Sequence, residues 1–372
     1  MSRRSLVACL IAMLLAPRAH ASGSDVVVVR VGDGSAALGS SSLPVFLERR
    51  ASSGGLVAIA GNPYSLPTAA QGGNFPFTLS GSGTGEGGIA LSANRHFLAL
   101  AGYATPPGTA TVASTFSLTV NRLVARIDSS GIIDTTTRFD SAFSMGSVRG
   151  AVSADDGQAF WASGASGTTS GGAWYVSLGS SGSATQICTN PGSMRAIGIV
   201  GGQLFADAAA GAYFGVFTIG SGLPTAASQA ATVLPGLSTT AGPSPYGFVF
   251  FDTNASVAGL DTLYIADDRQ PVSNGGIQKW TFNGTTWTFA YTLNNGLSKG
   301  VRGLAGERFG RYVVLYATTA DAAGGGSNDL VRVVDDGTSS APFSVLATAA
   351  ANTVYRGVAL AWDDEIFNDN FD

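Results

Sequence analysis

Six positions carry the side chains with which this chain could do chemistry: Glu86, Arg149, Arg195, Tyr246, Arg302 and Arg356. They recur at steps of 63, 46, 51, 56 and 54 residues, and the sequence around them repeats. Val148-Arg149-Gly150-Ala151, Met194-Arg195-Ala196-Ile197, Val301-Arg302-Gly303-Leu304 and Tyr355-Arg356-Gly357-Val358 are copies of one motif, with Pro245-Tyr246-Gly247-Phe248 and Gly85-Glu86-Gly87-Gly88 as weaker copies. If the copies are equivalent in space, four guanidinium groups converge. Such planar, multi-donor cations suit an anion: a carboxylate, a phosphate or an acidic sugar. The competing use is mechanical, with each arginine paired to a carboxylate on the adjacent unit, for which Asp155, Asp267 and Asp321 are available. An uncompensated cluster of four charges is costly, which favours the clip.

Other candidates are fewer. Asp252, Asn254 and Ser256 have the alternate spacing that oxygen ligands of calcium use, with Asp261 nearby, but the full EF-hand loop and its closing Glu are missing. Their other reading is as turn residues that stabilise their own backbone. Calcium is the only cofactor this pattern suggests. After loss of a leader, His96 and Cys188 are the sole histidine and cysteine. That excludes an internal disulfide and a His/Cys zinc site within one chain. A Ser-His-Asp triad would have to use His96, and no nucleophile-elbow pattern accompanies it. Loop aromatics such as Tyr103 or Tyr246 offer a surface on which a saccharide could stack.

The elements that must position these residues are short strands. A repeat of this length built from short strands is the signature of a β-propeller, one blade per repeat. Composition agrees: Gly is 51 of 372 residues, charged residues are 12%, and no long helical stripe is visible. In the last full repeat the marker opens a strand at 302–304, followed by strands at 312–318, 330–334 and 343–348, with Asp336-Gly337 as a hairpin turn. The preceding repeat has strands at 263–266, 277–282 and 287–293 and the hairpin dipeptide Asn283-Gly284. In 287–293, Trp287, Phe289, Tyr291 and Leu293 alternate toward one face. At the ends, 26–30, 45–49 and 56–60 supply three strands with no first strand, while 358–362 supplies a first strand alone. Joining them closes a ring with no open sheet edge. The expected fold is all-β, a six-bladed β-propeller closed by pairing the N- and C-terminal strands, or seven-bladed if 75–79 and its flanks hide another blade.

Residues 1–21 read as a Sec-type signal peptide, with Arg3 and Arg4 before an apolar run and Ala19-His20-Ala21 as the cleavage site. The alternative, a lipoprotein signal at Cys9, puts the apolar run on the wrong side of the cysteine. The domain is then 22–362, with an acidic-aromatic tail at 363–372. Cleavage near Ala21 removes three arginines and no acid, taking the formal charge from −4 to −7. That balance argues against nucleic acid as a partner. No later apolar run has the ~20 residues of a membrane span. The mature chain is expected to be secreted, in the periplasm or beyond, and monomeric.

The runs Leu263-Tyr264-Ile265-Ala266-Asp267-Asp268-Arg269, Gly275-Gly276-Ile277-Gln278-Lys279-Trp280-Thr281 and Trp287-Thr288 resemble a pattern shared by exported, propeller-like bacterial proteins. The likeness covers roughly 25–362. The tail is similar to short acidic-aromatic endings of exported Gram-negative proteins, although Asn370 stands where those endings carry Gly. The resemblance implies fold and export, and no particular chemistry. The expected role is a binding or scaffold module for a small anionic or saccharide ligand or a protein partner. The alternative is a hydrolase or lyase acting on an anionic substrate at the same channel mouth, with calcium assisting.

Overall fold

A computed structural model describes residues 23–321 and 327–362. The leader at 1–21 and the tail at 363–372 therefore fall outside the described residues. Among those described, regular structure consists of twenty-six strands and two short 3-10 turns. No helix is long and apolar enough to cross a membrane.

The chain folds as a β-propeller. Four of its blades are separate four-stranded meanders, each strand antiparallel to the next in sequence. The Arg149 blade comprises Val148–Ser153, Ala159–Gly164, Gly172–Ser177 and Thr185–Cys188. The Arg195 blade comprises Ile197–Val200, Gln203–Asp207, Val216–Ile219 and Ala231–Val233. The Tyr246 blade comprises Pro245–Phe251, Thr262–Asp267, Gly276–Phe282 and Trp287–Leu293. The Arg302 blade comprises Val301–Phe309, Tyr312–Thr319, Asp329–Asp335 and Ser344–Thr348.

The remaining strands form one ten-stranded sheet. Its order is Val354–Leu360, Val26–Val31, Ser42–Arg50, Thr78–Ser80, Phe97–Tyr103, Arg122–Asp128, Ile133–Phe139 and Ser181–Gly182. Tyr64–Ser65 and Ile89–Leu91 attach beside this path. The two ends of the chain meet here: Val26 lies opposite Leu360 and Val28 opposite Val358 in an antiparallel pair. Val26–Val31 reads Val-Val-Val-Val-Arg-Val because both its faces are covered, and its valines are 0% exposed. A strand buried on both faces needs a continuous apolar run rather than alternation.

The core lies between blades. Phe205 and Val216 of the Arg195 blade pack with Leu263, Ile265 and Trp287 of the Tyr246 blade. Each such side chain contributes about 1.5–3 kcal/mol on burial.

Three expectations are corrected. Segment 56–60 is not a strand; only Leu56 bridges, to Arg50. Its amides fold back locally, Val57 N–H donating to the Arg49 carbonyl, while Asn62 ties itself to Arg49. The outer strand there is Tyr64–Ser65 instead. Segment 75–79 supplies only Thr78–Ser80, which lies between Ser42–Arg50 and Phe97–Tyr103 and stitches them together. The alternation in Trp287–Leu293 is split by a register shift in its pairing with Gly276–Phe282. Trp287 therefore packs toward the Arg195 blade, Tyr291 and Leu293 pack toward the Arg302 blade, and Phe289 is left exposed against Trp280.

Candidate functional site

Strands that follow the markers lie against one another: Val301–Phe309 against both Pro245–Phe251 and Val354–Leu360, Ile89–Leu91 against both Val354–Leu360 and Val148–Ser153, and Val148–Ser153 against Ile197–Val200. This close approach explains the glycine after Tyr246, Arg302 and Arg356; after Arg195 stands Ala196. A Cβ on Gly303 would sit 2.8 Å from the Arg356 carbonyl oxygen, one on Gly247 3.0 Å from that of Arg302, and one on Gly357 2.4 Å from that of Gly87. Gly88 N–H donates to the Arg149 carbonyl at 2.8 Å, and Gly357 N–H to that of Gly87 at 3.0 Å. Only glycine allows neighbouring backbones so near. The repeated Arg-Gly thus has two parts: the glycine draws the strands together, and the side chain before it is delivered to the mouth they enclose.

All six marker residues line one cavity of about 70 Å³ at that mouth. Their partners divide them into two halves. On one half, Arg356 Nη1 donates to Asp321 Oδ1 at 2.7 Å and Arg302 Nη1 to the same oxygen at 2.9 Å. Arg302 Nε also reaches Asp268 Oδ2 at 3.1 Å. Asp321 follows the second strand of the Arg302 blade and Asp268 that of the Tyr246 blade, so Arg356–Asp321 and Arg302–Asp268 tie adjacent blades while Arg302–Asp321 lies within one. They are the expected clip, with one partner, Asp268, not anticipated. Asp155 and Asp267 do not reach the ring. Asp155 accepts from Asn94 N–H, and Asp267 pairs with Arg269 and Gln278.

On the other half no carboxylate pairs. Arg149 Nη1 donates to Ser193 Oγ at 3.0 Å and the Met194 carbonyl at 3.1 Å. Arg195 Nη1 donates to Ser244 Oγ at 3.0 Å and the Pro245 carbonyl at 2.8 Å. Among the described residues neither arginine forms an ion pair, and Arg149 Nε has no partner. The Arg195 guanidinium lies 4.1 Å from the centre of the Tyr246 ring, and that of Arg302 lies 5.4 Å from it. The serines carry a signal that the motif reading passed over: Ser147, Ser193 and Ser244 each stand two residues before a marker.

Buried carboxyls complete the site. Glu86 Oε1 accepts from the Tyr103 hydroxyl at 2.7 Å and Oε2 from Ser80 N–H at 2.9 Å. Burial pushes its pKa up, with Tyr103, Ser80 and Arg356 pulling back. Asp207, at the end of the second strand of the Arg195 blade, is fully buried. Its Oδ1 accepts from Ala196 N–H at 2.7 Å, and its Oδ2 has no partner. Burial pushes its pKa to about 8 in spite of Arg195 and Arg149 nearby. At neutral pH this acid is mostly protonated and leaves both arginines uncompensated. Burial also pulls the Arg149 guanidinium below its usual pKa.

The other candidate residues sit apart. Asp252, Asn254 and Ser256 lie in the loop after Pro245–Phe251. The Asp261 carboxylate accepts the N–H groups of Thr253 and Asn254 and the hydroxyls of Thr253 and Thr262. Asn254 Oδ1 accepts Ser256 N–H. This is the turn-stabilising arrangement, and no group of three His, Cys, Asp or Glu is gathered for a metal among the described residues. His96 is exposed in a turn. Cys188 is buried, which pushes its thiol pKa up.

No protein-family model matches the chain, and no curated protein does. Among solved structures, the periplasmic gluconolactonase of Pseudomonas aeruginosa is similar at 13% identity and TM-score 0.47, over 89% of this chain and 98% of that one. A chain of a nidogen/laminin complex is similar at 11% identity and TM-score 0.47, over 91% of this chain and 98% of that one. The fold assignment rests on the strand pairing described above.

Proposed function

We propose that this chain is an exported six-bladed β-propeller that binds a small anion at the channel mouth. The blade count follows if the ten-stranded sheet is divided at Thr78–Ser80. Its two parts are then Val354–Leu360 with Val26–Val31, Ser42–Arg50 and Tyr64–Ser65, and Ile89–Leu91 with Phe97–Tyr103, Arg122–Asp128 and Ile133–Phe139. Each part, like the separate blades, begins at a marker residue. The observation that carries the functional reading is the asymmetry of the ring. Arg302 and Arg356 are neutralised by Asp268 and Asp321, while Arg149 and Arg195 face the same cavity held only by hydroxyls and carbonyls. Those neutral partners orient the two guanidiniums and leave their charge and remaining N–H donors for a carboxylate, phosphate or acidic sugar. Calorimetric titration of inorganic phosphate and of acetate tests this. Binding that is lost in Arg149→Ala/Arg195→Ala with the thermal midpoint retained supports the reading; equal affinity in the double variant overturns it.

A second reading, a hydrolase or lyase on an anionic substrate, is favoured by Glu86. This carboxyl lines the cavity, and burial raises its pKa, as suits a general acid. Glu86→Gln separates the two: a binding module keeps its anion affinity and shows no turnover to lose.

A further inference from the structure

The mouth cavity continues into the channel, where the lining changes character. A second cavity of about 260 Å³ lies below the arginines and shares Ile89, Ala196, Ile197, Gly247, Leu304 and Val358 with the first. Of its nineteen lining residues, not one has a polar side chain. They lie on or beside Ile89–Leu91, Ile197–Val200, Pro245–Phe251, Val301–Phe309 and Val354–Leu360, with none from Val148–Ser153, and several remain partly exposed, including Ile199, Val200, Phe250 and Phe251. Along one of these strands the cavity runs from Gly247 to Phe251, about 13 Å at the usual rise per residue. Arginines lie at one end and aliphatic and aromatic side chains along the rest. A bare inorganic anion would use the first part of this space and none of the second.

We infer that the ligand is an anionic amphiphile, a linear aliphatic carboxylate with its head between Arg149 and Arg195 and its chain down the channel. The inference rests on the anion reading of the mouth and assigns the ligand class to it. Charge complementarity fixes the head, since of the four arginines at the mouth Arg149 and Arg195 are the two that form no ion pair among the described residues. The tail follows from apolar lining continuous with that head site. The tight approach of the strands at the glycines favours an unbranched chain.

The test is a titration series on the full mature chain with acetate, hexanoate and decanoate, with inorganic phosphate and uncharged decanol as controls. The expected result is a rise in affinity of roughly fourfold for each added methylene, with decanol far weaker than decanoate. Arg149→Ala/Arg195→Ala should lose decanoate. Val200→Glu, which places a charge at the partly exposed far end of the cavity, should lose the chain-length dependence and keep acetate binding. If acetate and phosphate bind as tightly as decanoate, the anion site stands and this inference falls. If no anion binds, both fall. If decanol matches decanoate and the double arginine variant changes nothing, the chain is held by grease alone and the inference is overturned.

Discussion

Four arginines in equivalent motif positions have different partners, and the difference predicts how each responds to removal. Arg356 is buried against Asp321 and the Gly81 carbonyl. Arg356→Ala leaves a buried carboxylate short of its charge partner and should cost about 3–5 kcal/mol, read from urea unfolding. Arg149→Ala removes bonds to neutral partners and with them an uncompensated charge. The two effects oppose, so stability should change by about 1 kcal/mol or less. Asp207 gives the pH signature. Its folded pKa, about 8, lies above its ordinary value of 3.8. The folded state therefore holds the extra proton between those values. The stabilisation is fully present below pH 3.8 and is lost as pH rises through 8. Asp207→Asn keeps the Oδ1 acceptor for Ala196 and should flatten this loss, gaining at least about 2 kcal/mol over the native protein above pH 8. Anion affinity should fall over the same upper range in the native protein, as Asp207 ionises beside Arg149 and Arg195, and should not fall in the variant.

Strands and turns show how much the sequence disclosed. Tyr312–Thr319, Trp287–Leu293 and Gly276–Phe282 lie within a residue of their expected positions, since β-rich runs end at Gly and Asn turns whose chemistry is local. The segment at 56–60 had the apolar content of a strand, but pairing is decided by what lies opposite, and there the backbone folds onto Arg49. The bulge in Trp287–Leu293 was hidden for the same reason. The marker residues were legible because they recur. Asp268 and Asp207 were not, because their roles depend on which neighbouring strand they reach, whereas the serines two residues before Arg149, Arg195 and Tyr246 recur with the markers and were passed over. The glycine after Arg356 makes an element-scale prediction. Gly357→Ala places a methyl group 2.4 Å from the Gly87 carbonyl oxygen and must push two first strands apart, costing about 1–3 kcal/mol. Ala196→Gly, at the one motif copy that already carries a side chain there, should change stability by about 1 kcal/mol or less. Thermal midpoints of the two variants check both.

At the scale of the whole molecule, the termini hold the ring shut by pairing Val26–Val31 with Val354–Leu360. Deleting residues 354–372 exposes the edge of Val26–Val31 and removes Arg356 from the mouth. The truncated chain should lose its single cooperative thermal transition and aggregate, as unpaired edges do. A closed ring brings the marker residues to one cavity, which is how a chain of net charge −4 gathers four guanidinium groups in one place. The direct test of that site is a crystal soaked in selenate and read from its anomalous-difference map. The account predicts a peak within hydrogen-bond distance of the Arg149 and Arg195 guanidiniums. Selenate peaks confined to Arg302, Arg356 or the outer surface, with none between Arg149 and Arg195, would contradict it.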